Sequence, residues 1–242
     1  MYKLKIKTFV HRNIPYSFNW NKEHHKEKYS HIIANRDELN NLKNHFKQVY
    51  EGTIPNSLFN SREFPRVSQF KIRGIKSAFV RSYSKSLIRS GKIHYYDSES
   101  KLPRYAQKVF TNFHENDIPR SPGHEPILKN ILIKDEDAIA IEVPIWVKKE
   151  NMAITGHIDL IQIENDVVKV IDYKPEGNFL LSLPQVAMYG YLLKSKLNLK
   201  KIRCVSFNKR GAWEYEPNIL KEDIREYLLS QHIEDRPWED FI

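Results

Sequence analysis

The pattern of apolar and polar positions in the first half of the chain predicts one strand followed by helices. Residues 2–10 alternate between polar residues, mostly lysine, and apolar ones, which is typical of a strand. A helix then follows, with Asn35 or Asp37 as its cap and Gly52 at its end. A later helix begins at Pro103, because proline fits the first turn, where no amide hydrogen is needed.

A basic amphipathic helix is predicted between Ser68 and Gly91. Its apolar positions recur at helical spacing, and basic residues stand between them. Aromatic residues at this spacing are more often core residues than platforms for bases, so we place Phe79 and Tyr83 in the core. The basic residues of this helix are our candidates for phosphate contacts: Arg73, Lys76, Arg81, Lys85 and Arg89.

The second half of the chain, after a loop at residues 119–123, predicts strands that form an antiparallel meander. Three runs rich in Ile and Val, at 138–148, 152–164 and 167–174, are separated by short polar turns. The later predicted elements are a helix that Ser182 caps with Pro184 in its first turn, strands at 201–207 and 212–215, and a closing helix at 219–229. Together these elements predict an α/β fold with a basic, mainly helical N-terminal region.

Charge is distributed unevenly along the chain. Residues 1–121 hold 23 basic and 10 acidic side chains, residues 122–242 hold 16 and 20, and the formal net charge is +9. A basic half suits a polyanion because neutralised phosphates release counterions, and an acidic half suits divalent cations. A solvated cationic surface is the alternative that charge alone leaves open. We divide the chain into residues 1–100, which would guide nucleic acid, and residues 101–242, which would carry the chemistry.

Cysteine content and hydropathy exclude several classes of protein. The chain has one cysteine, Cys204, which rules out an internal disulfide, a four-thiolate zinc site and a cysteine-held iron–sulfur cluster. No apolar run approaches the roughly 18 residues that a membrane span needs, and residues 1–10 lack the apolar stretch of a signal peptide. We therefore expect a cytoplasmic protein without membrane contact.

Counting residues through the second turn of the meander brings two aspartates together. If Asn165 and Asp166 form a two-residue hairpin loop, Asp159 lies directly opposite Asp172, with Cβ atoms about 5 Å apart. The same register places His157 opposite Lys174. Side chains share a face at every second residue of a strand, so Asp172 and Lys174 point the same way.

The first turn adds a third carboxylate to the same row. With Glu150 and Asn151 as the loop, Glu142 falls opposite Asp159. Pro144 makes a bulge or an edge position an alternative for this pairing.

Like charges on facing strand positions destabilise a sheet, so we expect a cation between these carboxylates. Oxygen ligands at this separation suit Mg²⁺ or Mn²⁺, and Lys174 adds a compact positive charge beside them. An isolated strand Asp is usually an exposed or hydrogen-bonded residue, which is the alternative at each position. Four such residues on one face favour the metal site.

These residues occur in motifs that resemble the PD-(D/E)XK nuclease superfamily, specifically its RecB-like branch with a QxxxY helix. The motifs are Glu142 in IEVPIW, residues 156–159 (GHID), residues 172–174 (DYK), and Gln185 with Tyr189. The resemblance covers residues 102–229. It implies a restriction-endonuclease-like core, with a helix, a three-stranded meander, a helix and a strand, and hence a nuclease core at 101–242.

The resemblance also implies roles for individual residues. Asp159 and Asp172 become metal ligands with the carbonyl of Tyr173 as a third, Lys174 the catalytic lysine and Glu142 the first-motif acid. Gln185 and Tyr189 stand four apart on one helical face and can both reach the site; the alternative is an ordinary amphipathic helix with Tyr189 in its core.

RecB-like nucleases often add a histidine ligand before the strands. His94 and His124 are the candidates here, of which we assign His124; either fits a surface histidine as well. The resemblance further implies Mg²⁺ or Mn²⁺ as the cofactor. The members that carry an iron–sulfur cluster use four cysteines, which this chain lacks, so we expect no cluster.

The function that this resemblance implies is metal-dependent hydrolysis of phosphodiester bonds in DNA, in repair, recombination or defence. The QxxxY branch favours an exonuclease or an enzyme that processes ends and flaps of single-stranded or duplex DNA. RNA as a substrate, and a partner helicase or repair complex, stay open. Two alternatives are a nucleic-acid-binding module on a catalytically retired nuclease fold and a structural protein with a solvated basic half.

Overall fold

The computed structural model describes residues 4–31, 36–175 and 177–242. The strands are β1 (Lys5–His11), β2 (Ile14–Trp20), β3 (Ile93–Tyr96), β4 (Ala138–Lys149), β5 (Met152–Glu164), β6 (Val167–Tyr173), β7 (Ile202–Asn208) and β8 (Gly211–Tyr215). The helices are α1 (Lys22–His31), α2 (Arg36–Glu51), α3 (Asn56–Asn60), α4 (Ser77–Arg89), α5 (Lys101–Glu115), α6 (His124–Lys134), α7 (Phe179–Leu197) and α8 (Asp223–Ser230).

The described strands form one mixed sheet of eight strands in the order β1-β2-β4-β5-β6-β7-β8-β3. Only the β6–β7 pair is parallel, because α7 connects these two strands as a crossover. One apolar core lies between the sheet and helices α5 and α6, and a larger core includes α7 together with residues of α2 and α4. The mixed α/β class is therefore confirmed.

The predicted meander is confirmed as β4, β5 and β6. Asn165 and Asp166 both have positive φ, +47° and +64°, as a two-residue type I′ turn requires. The predicted register between β5 and β6 holds from Glu164–Val167 to Leu160–Ile171. The turn residues and the alternation of the strands were therefore enough to set this register.

The β4–β5 hairpin also keeps its predicted register, with an irregularity at Glu142. Pairing runs from Lys149–Met152 to Ala140–Ile161 and shifts by one residue at Ala138. Glu142 has a φ of +52°, a left-handed conformation in which a non-glycine residue is strained. Consequently Ile141 packs in the core under α5 and α6, whereas Val143, two residues on, packs in the core that includes α7.

The predicted basic helix from Ser68 is wrong in its first part. Residues Val67–Gln69 form a short 3₁₀ turn, Gly74 adopts a φ of +77°, and α4 begins only at Ser77. The core assignment of Phe79 is also wrong, since 53% of that side chain is exposed. Tyr83 is half-buried and stacks on Tyr227, with ring centroids 3.6 Å apart.

Several predicted boundaries move by part of a turn. Helix α7 begins at Phe179 rather than near Ser182, because the Asn178 side chain accepts a hydrogen bond from the amide of Leu180 at 2.9 Å. Pro184 consequently lies inside α7 instead of in its first turn. The closing helix is divided into a 3₁₀ turn at Pro217–Leu220 and α8.

The first hundred residues contribute strands as well as helices. The β1–β2 hairpin extends one edge of the sheet and β3 forms the other, whereas the sequence predicted only the first strand. The predicted cap Asn35 and the first two residues of the predicted strand, 2 and 3, lie outside the described residues. The division at residue 100 stays a prediction. None of the described helices has the length and apolar character that crossing a membrane requires.

Candidate active site

The predicted acidic residues lie where strands β5 and β6 separate. Pairing between these strands ends at Leu160–Ile171, and Asp172 pairs onward with Ser206 of β7. Asp159 stands in the resulting fork, where its Oδ2 atom accepts a hydrogen bond from the amide of Tyr173 at 2.9 Å. The structure thus brings Asp159 and Asp172 to the same site, as the register predicts.

Asp172 is a buried carboxylate with incomplete compensation. Its Oδ1 atom accepts a hydrogen bond from Gln185 Nε2 at 3.3 Å. Its Oδ2 atom lies 2.5 Å from Lys174 Nζ, but the two are not aligned as a hydrogen bond. Burial, followed by the negative charge of Asp159, raises the pKa of Asp172 to about 7. The Asp172 site therefore favours additional positive charge.

Gln185 connects the two ends of the Asp-x-Lys motif. Its Oε1 atom accepts a hydrogen bond from Lys174 Nζ at 3.0 Å, while its Nε2 atom donates to Asp172. Because Lys174 can only donate and the Asp172 oxygen accepts, this pair of contacts fixes the orientation of the amide. Gln185 thereby holds the ammonium group of Lys174 in place.

Tyr189, one turn further along α7, is fully buried behind Gln185. A Cβ atom at Gly156 would lie 2.5 Å from Tyr189 Cε1, so the glycine of the GHID motif leaves room for this ring. Burial, followed by the charges of Asp172 and Asp159, raises the pKa of Tyr189 well above its usual value. Tyr189 braces β5 against α7 and exposes almost no surface to a substrate.

His124 reaches the site from the first residue of α6, a helix that the sequence prediction missed. Its Nδ1 atom lies 3.2 Å from Oδ2 of Asp159, and its ring meets that of Tyr173 edge-on. The hydrogen bond to Asp159 raises the pKa of His124 despite the opposing effect of burial. His94, the other candidate, lies on β3 at the far edge of the sheet, where it pairs with Glu214.

Glu142 provides the third carboxylate. Burial, followed by the charge of Asp159, raises the pKa of Glu142 to about 8, and His124 opposes this effect. Its positive φ belongs to the irregularity at which β4 changes face. Strained backbone of this kind persists only where its surroundings enforce it, and it is common at functional sites.

The donor set fits a hard divalent cation. Three carboxyl groups face one ammonium group and one imidazole, and Oδ2 of Asp172 lacks an aligned donor. Within the described ranges, no three His, Cys, Asp or Glu side chains lie close enough together to hold an ion alone. Mg²⁺ commonly binds one or two carboxylates and completes its shell with water and substrate phosphate. The carboxylates of Asp159 and Asp172 fit that pattern, and the carbonyl of Tyr173 as a further ligand stays a prediction.

The predicted partnership of His157 with Lys174 is wrong. Arg66 donates a hydrogen bond to Nδ1 of His157 at 3.1 Å and another to Tyr16, at 2.7 Å. His157 must then be protonated on Nε2, which donates to His11 Nδ1 at 2.9 Å. The chain ends where His11 donates to Asn56 at 3.0 Å. His157 thus anchors β5 to the N-terminal hairpin.

No local sequence signal could have revealed this network, since His11 and His157 lie 146 positions apart.

The predicted phosphate-binding residues are all exposed, but they occupy different places. Arg81 and Lys85 lie on α4 and line a groove, whereas Arg89, at the end of that helix, does not. Arg73 and Lys76 precede the helix. Their proposed contact with nucleic acid stays a prediction.

Comparison with known proteins gives one family. The family model of the PD-(D/E)XK nuclease superfamily matches residues 81–237, well over half of the chain. A search of the curated proteins gave no significant match. The matched family has a metal-dependent nuclease fold, and the matched range includes all the acidic site residues together with Lys174 and Gln185. The chain belongs to the PD-(D/E)XK nuclease superfamily.

Proposed function

We propose that the protein is a DNA nuclease of the RecB-like branch that depends on Mg²⁺ or Mn²⁺. Members of its superfamily are typically nucleases and generally use divalent metal ions. The observation that carries the proposal is the fork between β5 and β6, where Asp159 and Asp172 meet beside Lys174. The succession α5, β4-β5-β6, α7, β7 would be its restriction-endonuclease-like core, with α6 as an additional helix before β4.

Each site residue receives a role in this proposal. Asp159, Asp172 and the carbonyl of Tyr173 would hold the ion, with His124 beside them. These residues would hold a divalent ion, which would supply a bound water of lowered pKa and positive charge to stabilise the phosphate and the leaving oxygen. Glu142 would supply the third carboxylate of the site.

Lys174 is the basic residue of the site whose ammonium group is held in place by its neighbours. Its ammonium group, held between Asp172 and Gln185, would hydrogen-bond the attacking water or a phosphate oxygen. Tyr189 would act as a positioning residue, because its buried ring fixes the part of α7 that carries Gln185. The QxxxY pair would therefore act on the substrate through Lys174.

The proposal is tested by cleavage of end-labelled single-stranded and duplex DNA. We expect cleavage with Mg²⁺ or Mn²⁺, none in EDTA, and none with Asp172→Ala or Lys174→Ala. Lys47→Ala is a matched control, because Lys47 is exposed on α2 and makes only a surface ion pair with Glu51. Full cleavage by Lys174→Ala would refute the assigned chemistry, and tight, salt-sensitive binding without cleavage would indicate a binding module instead.

The same preparation separates modes of cleavage. We propose an exonuclease or an enzyme that processes ends and flaps in DNA repair, recombination or defence, by analogy with the QxxxY branch. A circular single strand should then survive while its linear form is degraded. Opening of the circle would show an endonuclease. A matched RNA substrate tests whether the proposed DNA preference holds.

A further inference from the structure

A groove of about 550 Å³ lies between α4 and the segment of chain that follows Lys174. Helix α4 forms one wall, and the start of α7 with Trp213 of β8 forms the other. Its apolar lining comes from Ile75, Val80, Ile88, Phe179, Leu181 and Trp213. The volume falls within the range of about 300–1,000 Å³ that is typical of ligand sites.

The lining combines apolar surface with positive charge. Leu181 keeps 37% of its side-chain surface exposed, and Trp213 is half-buried with its ring stacked on Phe179 at 4.8 Å. Arg81 and Lys85 provide two cations, and no described residue of the lining is acidic. Helix α4 itself contains no acidic residue. A ligand with a flat apolar face and an adjacent negative charge matches both features.

The groove is also next to the acidic site. Gly177, which lines it, follows Lys174 by three residues, so their Cα atoms are at most about 11 Å apart. On α7, Leu181 precedes Gln185 by four residues, which places both side chains on one face of the helix. A polyanion whose phosphate lies at Lys174 would therefore extend into the groove within a few nucleotides.

We propose that this groove binds an unpaired segment of the nucleic acid strand that enters the site. One base packs against Leu181 and Trp213, and the flanking phosphates bind Arg81 and Lys85. Bases in a duplex cover each other's faces, so only a single strand can present a base to an apolar wall. The inference rests on the proposed nuclease function and deepens it, because it selects single-stranded substrate and two of the five exposed cations.

The test measures binding in EDTA, where cleavage is absent. The probes are a labelled oligodeoxythymidine and an oligonucleotide of the same length whose bases are replaced by abasic sites. We expect the wild-type protein to bind the thymidine probe at least about fivefold more tightly, the lower bound for one stacked base. Leu181→Ser should remove most of this difference, because it takes away the apolar contact and leaves every cation in place.

The two cations and a matched control complete the set of variants. Arg81→Gln and Lys85→Gln should each weaken binding of both probes and lower the salt slope by about 0.7. Lys47→Gln, at an exposed position of α2 outside the groove, should change affinity less than twofold. Quenching of Trp213 fluorescence by the thymidine probe, absent in Trp213→Phe, reports on the groove even if Leu181→Ser fails to fold.

The outcomes separate this inference from the proposed function. Equal affinity for the two probes, a Lys47 effect as large as that of Arg81, or tighter binding of duplex DNA would overturn the inference, whatever the protein cleaves. Base-dependent binding that Leu181→Ser abolishes would support the groove inference even if cleavage is never observed. Absence of cleavage would overturn only the nuclease proposal.

Discussion

Two acidic clusters lie on the same sheet, and only one of them is neutralised by the protein. At the start of β4, Asp135 and Asp137 contact Lys101 at 2.7 and 2.6 Å, and Asp137 also contacts Lys28 at 2.5 Å. Gln162 donates another hydrogen bond to Asp135. Two carboxylates therefore face two ammonium groups and an amide, which we call the paired cluster.

The acidic site a few residues along β4 has the opposite balance. Lys174 contacts Asp172, His124 contacts Asp159, and Glu142 adds a third carboxyl group to the site. The pKa values differ between the clusters, although not for every carboxylate. Burial raises the pKa of Asp135 despite its hydrogen bond from Lys101. Burial raises the pKa of Asp137, but the hydrogen bonds from Lys101 and Lys28 outweigh it and lower that pKa below its usual value. In the acidic site, by contrast, the pKa of Glu142 is raised to about 8 and the pKa of Asp172 to about 7.

The comparison teaches how to distinguish a structural carboxylate from a functional one. Burying charge costs free energy unless a partner compensates it, so a cluster that contributes only to stability carries its own counter-ions. A cluster left with surplus negative charge loses stability, so we expect a bound cation to compensate it. Both clusters contain acidic residues, and they differ in how far neighbouring positive charges compensate the negative charge.

The largest expected effect comes from removing charge at the acidic site. Asp172→Asn should lower the rate of DNA cleavage by about 100- to 1,000-fold, a loss comparable with removal of a strongly stabilising group from other active sites. The free energy of unfolding should stay unchanged or rise, because a like-charge contact disappears. Cleavage assays and urea denaturation measure the two effects.

Asp137→Asn is the matched control in the paired cluster. It should leave the rate per folded molecule unchanged and lower the free energy of unfolding, because Asp137 is buried and its carboxylate accepts hydrogen bonds from both Lys28 and Lys101. Loss of activity in both variants, or of stability in both, would remove the distinction.

The next effect in size is the loss of compensation in the paired cluster. Lys101→Met should destabilise the fold by about 2 kcal/mol, less than for a fully buried pair because Lys101 is 47% exposed. Urea denaturation measures the change. Lys47→Met, in an exposed pair on α2, should cost less than about 0.5 kcal/mol. Equal costs would mean that the paired cluster is an ordinary surface feature.

A smaller effect follows from adding the missing positive charge. Mg²⁺ at ten times its dissociation constant should stabilise the wild-type protein by about 1.4 kcal/mol, seen as a higher melting temperature. Asp159→Asn should abolish this stabilisation, whereas Asp137→Asn should keep it. An Asp159→Asn protein that still responds to Mg²⁺ would place the ion elsewhere.

The smallest expected effect is the pH dependence of folding stability that comes from His25, a buried histidine away from the acidic site. Burial, together with Lys43, lowers the pKa of His25 to about 4, whereas Asp159 raises that of His124. The unfolded chain binds a proton on His25 near pH 6.5, so stability is complete above that pH and falls as the pH drops toward 4.

The loss should reach about 1 kcal/mol at pH 5.5, in part because protonation of Nδ1 would break its hydrogen bond from Trp20. Comparison of urea denaturation at pH 7 and 5.5 measures it. His25→Gln should reduce this dependence by about 1 kcal/mol. The remainder belongs to other buried histidines with lowered pKa values, such as His45 and His157. An unchanged slope would mean that His25 contributes nothing.

The sequence predicted the hairpin register that brings Asp159 and Asp172 near each other, because this part of the geometry follows from local rules. A turn of Asn165 and Asp166 has one favoured conformation, and strand alternation then carries the register to Asp159 and Asp172. The positive φ of Glu142 escaped prediction, because tertiary packing imposes it against the residue's own preference.

Other features depend on contacts between distant parts of the chain. Strand β3 pairs with β8 more than a hundred residues later, and four residues give too short a pattern to identify a strand. The basic helix was extended too far because Ile72 and Ile75 fit helical spacing, while Gly74 adopts a conformation that interrupts a helix. The spacing of apolar residues alone does not reveal that the helix is interrupted at Gly74.

The position of β3 has a consequence for the order in which the molecule can assemble. Residues 93–96 are synthesised long before β8, so β3 cannot pair until β8 has been made. In the same way, β2 cannot pair with β4 until β4 has been made. Until then, the apolar sides of the early strands are open to other nascent chains. Both outer strands thus come from the part of the chain that is made first, and the sheet can close only when its middle has been synthesised.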